Sequence, residues 1–302
     1  MSQEVLQSWE ERMKQATFQR DWRQQRDFLA YLRDAKHRRA DLVVACAQPL
    51  LQNHKKRLGN EVWAIYEQLL IAYLDLGELV EAKRYYKILA ERFPSSCRVR
   101  RLAGLVKESE GKYDDALEVY SRILQDDQTF QPALRRKVAI LKARGKIPLA
   151  IEALNAYLGV FMADFEAWGE LADLYLSTQQ YSSAAFCLEE LILSSPQNVM
   201  HYTKYGEVLF MMGGLENLKL SRKYYVHALK NMPFCQNLRA LYGLVMSCQA
   251  IATTVRSKGT ESKQELKENM DIFEHAKGLL IQEYQKSLPS RLPILKAILR
   301  LE

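Results

Sequence analysis

Glycine and proline are scarce in this chain. Its 302 residues contain 13 glycines and 8 prolines. That is too few for the tight turns of an all-β fold, or for a collagen-like or linker-rich chain. Long apolar runs are missing as well. A membrane span needs about 18 uninterrupted apolar residues. The longest apolar stretches, 42–51 and 69–76, are broken by Gln48 and Pro49 and by Asp75. The N-terminus reads Met1-Ser2-Gln3-Glu4 and then Trp9-Glu10-Glu11-Arg12, without the apolar core of a signal peptide. No Asn-x-Ser/Thr sequon occurs, and Arg300-Leu301-Glu302 carries no lipidation or retrieval signal. A cytosolic or nuclear protein with no transmembrane span is the expectation.

Chemistry-bearing patterns are equally sparse. Cys46, Cys97, Cys187, Cys235 and Cys248 are widely spaced, odd in number and form no CxxC. Neither a disulfide framework nor a zinc module is readable, and the expectation is reduced, mostly buried small apolar residues. There is no phosphate loop, no GxGxxG, no HExxH and no GxSxG. His37, His54, His201, His227 and His275 lack ligand spacing, so structural roles are expected and no metal. Carboxylate pairs such as Asp114-Asp115 and Glu189-Glu190 fall at helix starts or exposed faces, where capping and solvation account for them. Neither catalysis nor a cofactor is expected.

What the chain does have is charge and a period. Its net charge is +7, from 43 basic and 36 acidic residues. That excess suits nucleic acid, an anionic membrane surface or an acidic protein partner. The period is 34 residues. Gly77, Ala82 and Tyr86 recur as Gly111, Ala116 and Tyr120, then as Gly145, Ala150 and Leu154. The next step brings Gln179, Ala184 and Leu188, so the glycine is lost while the small and large apolar positions stay. Leu79, Tyr113, Ile147 and Tyr181 keep the same beat.

A 34-residue helix–turn–helix unit is the tetratricopeptide period. Small residues at fixed places let neighbouring helices approach closely, each receiving a large ring from the next helix. Gly77, Gly111 and Gly145 fall where first helices must end in a left-handed residue. Asp114, Ser182 and Pro148 fall at the starts of second helices, where Asp and Ser cap and Pro is tolerated. Tyr66, Tyr73, Tyr86, Tyr120, Tyr175 and Tyr225 occupy repeat core positions, which favours helix packing over a stacking platform for bases.

The period predicts an all-α, right-handed tetratricopeptide superhelix, an α-solenoid with helical caps. Residues 1–62 form N-terminal helices over about Gln3–Arg20, Trp22–Lys36 and Arg39–Arg57. Residues 63–235 hold five repeats, the fifth with three inserted residues in the turn Gly213-Gly214-Leu215-Glu216-Asn217. It closes at Pro233. Residues 236–302 form a sixth, degenerate repeat, with its turn opened by Thr253–Ser262, a second helix over Lys263–Lys286, stops at Pro289 and Pro293, and a tail helix over Ile294–Leu301.

In such a spiral the first helices line the concave face, and ligands meet particular positions of each. Those positions are Ile71 and Leu74, then Arg98, Arg101 and Leu105, then Arg135 and Lys142, and finally Leu176, Phe210 and Leu244. The middle of that face is basic, reinforced by Arg100, Arg136, Lys137 and Arg144. Beside it runs an apolar series, expected to be exposed in the absence of a partner and so to mark a protein interface. Phe210 and Leu244 are expected to face the hollow of the spiral. Glu67 and Ile71 stand where chaperone-binding tetratricopeptide domains place a carboxylate-clamping Lys and Asn, which disfavours a chaperone adaptor.

Several strings go beyond the generic repeat. They are Trp63-Ala-Ile-Tyr-Glu-Gln, Arg98-Val-Arg-Arg-Leu, Tyr113-Asp-Asp-Ala, Arg122-Ile-Leu-Gln, Ala184-Ala-Phe-Cys-Leu-Glu-Glu-Leu191 and Gly213-Gly-Leu-Glu-Asn-Leu-Lys-Leu-Ser-Arg-Lys-Tyr224. With Trp9-Glu-Glu near the start, the chain from about Trp9 to Ala252 resembles the family of subunit 2 of the endoplasmic reticulum membrane protein complex. The resemblance implies a non-catalytic scaffold on the cytosolic side of the reticulum membrane, peripheral and present as a single copy in a hetero-oligomer. Its implied partners are cytosolic segments of membrane-embedded subunits and a further soluble subunit, in a complex that inserts transmembrane helices of tail-anchored and multipass proteins. No cofactor, no nucleic acid and no catalytic residue are implied. The alternative that the charge leaves open is a tetratricopeptide or HAT-like repeat scaffold that binds RNA or an RNA-processing complex.

Overall fold

A computed structural model describes residues 2–13, 18, 21–230, 237–258 and 263–298. Cys235, Pro233 and Gly259, and the outer ends of two expected helices at Arg20 and Leu301, lie outside the described residues. Among those described, the secondary structure is helical and no strand occurs. The helices fall into two units, Met1–Lys146 and Ile147–Glu302.

The first unit contains α1 (Ser2–Met13), α2 (Trp22–Asp34), α3 (Ala40–His54), α4 (Glu61–Leu76), α5 (Leu79–Arg92), α6 (Cys97–Ser109), α7 (Tyr113–Asp126) and α8 (Gln131–Ala143). A 3-10 turn, Lys55–Arg57, follows α3. From α2 onward each helix packs on the next, as expected when connections are this short. The core runs through Phe28, Leu29, Leu50, Leu69 and Leu70, all fully buried. A smaller cluster gathers Ala116, Tyr120, Ile123 and Ala133.

The second unit contains α9 (Ile147–Val160), α10 (Phe165–Ser177), α11 (Tyr181–Ser194), α12 (Val199–Met212), α13 (Leu215–Lys230), α14 (Leu238–Lys258), α15 (Lys263–Ser287) and α16 (Leu292–Ile298). One core cluster joins α13, α14 and α15 through Tyr225, Leu241, Val245 and Leu280. By length and composition, Leu238–Arg256 within α14 could cross a membrane. In the fold it packs between α13 and α15, with Leu241, Val245, Cys248 and Ile251 buried.

The small positions of the repeat do what the period requires. Ala82, Ala116, Ala150 and Ala184 are fully buried. Gly104 on α6 touches Tyr120 of α7 so closely that a Cβ there would lie 2.4 Å from the ring. Tyr66, Tyr73, Tyr120 and Tyr225 are buried, whereas Tyr86 and Tyr175 are half-buried. Turn geometry also follows the period. Gly77, Gly111 and Gly145 have φ of 78°, 74° and 69°. At the fourth turn Gln179 adopts the same left-handed state, φ 60°, without the freedom of glycine. The inserted turn uses two glycines in succession, Gly213 and Gly214, with φ of 70° and 80°.

Several expected details differ. Asp114 and Ser182 do not cap. The N-caps of α7 and α11 are Lys112 and Gln180, with no side-chain capping bond, and Asp114 sits in the first turn of α7. The polar stretch from Thr253 does not open a turn at once. Thr253 Oγ1 donates to Gln249 O (3.1 Å) and Thr254 Oγ1 to Ala250 O (2.7 Å), so the hydroxyls are satisfied on the helix and α14 runs on to Lys258. Pro293 does not stop a helix; it stands in the first turn of α16, where the missing N–H costs nothing.

Candidate interaction surface

The basic positions of the first unit are tied into the chain. Arg98 and Arg101 lie three residues apart on α6 and reach back one repeat to Glu67 on α4. Arg98 Nε forms an ion pair with Glu67 Oε2 at 2.7 Å, and Arg101 Nη2 donates to Oε1 at 3.2 Å. Two guanidiniums therefore share one carboxylate, at the place where a chaperone clamp would need a lysine. Ile71, Leu74 and Leu105 are half-buried and pack against the core beneath. Arg135, half-buried, and Lys142, exposed, lie on α8.

Their neighbours are paired as well. Arg136 Nε donates to Glu108 Oε1 at 3.0 Å, and Tyr120 Oη donates to the same oxygen at 2.6 Å. Burial first, and then the Glu108 charge, push the Tyr120 phenol well above its ordinary pKa. Arg144 donates to Asp114, and Arg100 pairs with Asp126 at 2.7 Å. Glu110 forms ion pairs with Lys83 (2.5 Å) and Lys112 (2.9 Å), which pull its carboxyl down to about 2.

The second unit repeats the device. Lys204 on α12 reaches Asp173 on α10 at 3.3 Å, and Arg239 on α14 reaches Glu207 on α12 at 2.5 Å. Asn237 Nδ2 donates to Thr203 Oγ1 one repeat earlier, at 3.2 Å. First helices are thus stitched to first helices by polar pairs about one repeat apart. Leu176 is half-buried on α10. Phe210 is half-buried and rests against Leu218, Ile251 and Val255. Leu244 corrects an expectation: it is 5% exposed and belongs to the core with Leu229, Leu241 and Ala276. The long helix α15 packs on α14 and takes that face out of solvent.

One feature of the surface lies outside the pattern of repeats. The turn between α2 and α3 carries three cationic residues around a histidine, Lys36-His37-Arg38-Arg39, a run readable in the sequence but outside the periodic units. It borders a recess of about 360 Å³ in the first unit, shared with α4 and with Arg98 of α6. Arg38 Nε donates to Asp75 Oδ2 at 2.7 Å, and Arg39 pairs with Glu10 (2.6 Å) and Asp41 (3.0 Å). Among the described residues, no three of His, Cys, Asp and Glu gather as a metal ligand set. The arrangement offers binding chemistry: apolar floor, guanidinium forks and covered carboxylates.

Comparison with known proteins agrees with this architecture. The profile of the EMC2 TPR-like repeat domain matches residues 78–223. ER membrane protein complex subunit 2 of Xenopus tropicalis is 45% identical over 246 residues, 82% of this chain and 82% of that protein. ER membrane protein complex subunit 2 of Dictyostelium discoideum is 34% identical over 242 residues, covering 76% and 75%. A solved structure, the C-terminal part of a TPR repeat-containing protein from Cytophaga hutchinsonii, superposes with a TM-score of 0.59 at 13% identity. It covers 87% of this chain and 97% of its own, and at that identity the likeness is one of fold.

Proposed function

The chain belongs to the family of subunit 2 of the endoplasmic reticulum membrane protein complex, and on that premise we propose that it is a non-catalytic scaffold of that complex. It stands on the cytosolic side of the reticulum membrane, peripheral to it, as one copy in a hetero-oligomer. It holds cytosolic segments of membrane-embedded subunits and a further soluble subunit together, so that the complex inserts tail anchors and the helices of multipass proteins. The observation that carries this reading is the 45% identity spread over 82% of both chains. Contact falls to the first-helix positions Ile71, Leu74, Arg98, Arg101, Leu105, Arg135, Lys142, Leu176 and Phe210, with Leu244 supporting them from the core. Nucleic acid is the weaker reading, because it rests on net charge alone and Tyr66, Tyr73, Tyr120 and Tyr225 are buried in helix packing, not exposed for base stacking.

The test is the lifetime of the chain in cells. A scaffold is stabilised by partners that bind its folded state. Depleting the membrane subunits should shorten its half-life several-fold. An unchanged half-life would mean an independent soluble protein.

A further inference from the structure

The recess of the first unit is polarised. Its two carboxylates lie underneath, with the side chains of Glu67 and Asp75 14% and 21% exposed. The guanidiniums that cover them face outward: Arg98 is 68% and Arg38 76% exposed. Arg98 meets Glu67 through Nε, at 2.7 Å. Arg33 is held by a neutral partner, donating Nη1 to Gln68 Oε1 at 2.9 Å. Lys36 has no ion-pair partner among the described residues and takes a left-handed backbone, φ 54°, in the turn that sets the basic run along the rim. Cations thus outnumber carboxylates at the opening, and the carboxylates are the covered groups. The floor, in contrast, is apolar, made by Leu32, Val43, Ile71 and Ala72.

We infer that this recess seats an acidic segment of a protein partner, with one bulky apolar side chain on the floor and flanking carboxylates on Arg33, Lys36, Arg38 and Arg98. Forked guanidinium–carboxylate bonds give such a segment orientation, and the apolar anchor gives it depth. A flat anionic bilayer supplies the charge but no side chain to reach Ile71. A polynucleotide leaves the apolar floor unfilled. The inference rests on the scaffold reading for the source of the partner and adds the chemistry by which one partner is recognised.

The experiment uses the purified full chain and a fluorescent acidic decapeptide with one central phenylalanine. Binding should fall at least tenfold in the double variant Lys36→Gln/Arg98→Gln, which adds no carboxylate beside Glu67 and leaves it paired with Arg101, so that the fold is kept. It should also fall when the peptide's phenylalanine becomes alanine, and weaken steeply as salt rises. Equal binding by variant and parent overturns the inference. So does a preference for phosphatidylserine vesicles or polyuridine over the peptide. In cells, the double variant should lose part of its partner set while the parent keeps all of it. A variant that loses the peptide yet copurifies with every partner sinks the recess alone, whereas a parent chain without membrane partners sinks the scaffold reading.

Discussion

Tyr225 is the side chain on which the second unit can be tested most sharply. Its ring, 2% exposed, is wedged between Gly206 of α12 and Gly243 of α14. A Cβ added at Gly243 would stand 2.4 Å from Cζ and 2.7 Å from Oη of that ring. A Cβ at Gly206 would stand 3.0 Å from Cε1 on the other side. The ring therefore cannot retreat from one glycine without closing on the other. For Gly243→Ala, either the helices part or the ring leaves its slot. Overpacking costs about 1–3 kcal/mol, and losing the burial of a large side chain costs a similar amount. A loss of about 2 kcal/mol, roughly 4–8 °C in melting temperature for a unit of this size, is expected. Gly206→Ala, with more room, should cost less. Tyr225→Leu is destabilising alone because it leaves a void, but it makes space for the alanine methyl. In a urea-melt double-mutant cycle the pair should couple by about 1 kcal/mol or more. Gly243→Ala melting like the parent, or strict additivity with Tyr225→Leu, would refute the reasoning.

The left-handed Gln179 should gain from glycine: Gln179→Gly is expected to stabilise by about 0.5–1 kcal/mol, and Gln179→Val to destabilise, in thermal melts. Burial pushes the thiols of Cys46 and Cys187 up to about 12 and that of Cys248 up to about 11, so at pH 8 iodoacetamide should label half-buried Cys97 well before these three. Raised folded values mean that their contribution to stability is intact below about pH 9 and lost as pH climbs towards 11–12. Glu110 has the opposite sign: held down to about 2 by Lys83 and Lys112, it contributes above the ordinary carboxylate value and loses that contribution as pH falls through 2. The melting-temperature gap between parent and Glu110→Gln should therefore narrow below pH 4.5. Phe210→Asp should weaken partner capture with a small melting loss, whereas Tyr225→Asp should unfold the second unit; equal losses would place Phe210 in the core.

The fold was readable because its small positions recur at a fixed distance and have one physical job. Ala82, Ala116, Ala150 and Ala184 are fully buried for the same reason, the close approach of adjacent helices. The turns were readable while glycine marked them. Gln179 shows the limit, since the flanking helices hold its left-handed conformation without that residue. The surface was harder to read. A position on a first helix names a face, but whether the face is wet depends on what packs there later, and α15 buries Leu244. The basic cluster looked free because its acids lie elsewhere in sequence: Glu67 is 34 residues from Arg101 and Asp114 is 30 from Arg144. The repeat pattern does not mark the recess, because its basic run belongs to a turn before the repeats begin.

Affinity purification of the tagged chain from detergent-solubilised membranes, with mass-spectrometric identification of what accompanies it, tests the scaffold most directly. Membrane-embedded subunits and a soluble subunit should copurify with it in constant ratio, with little RNA. A chain recovered alone from the soluble fraction, or one whose main companion is RNA, would contradict the account.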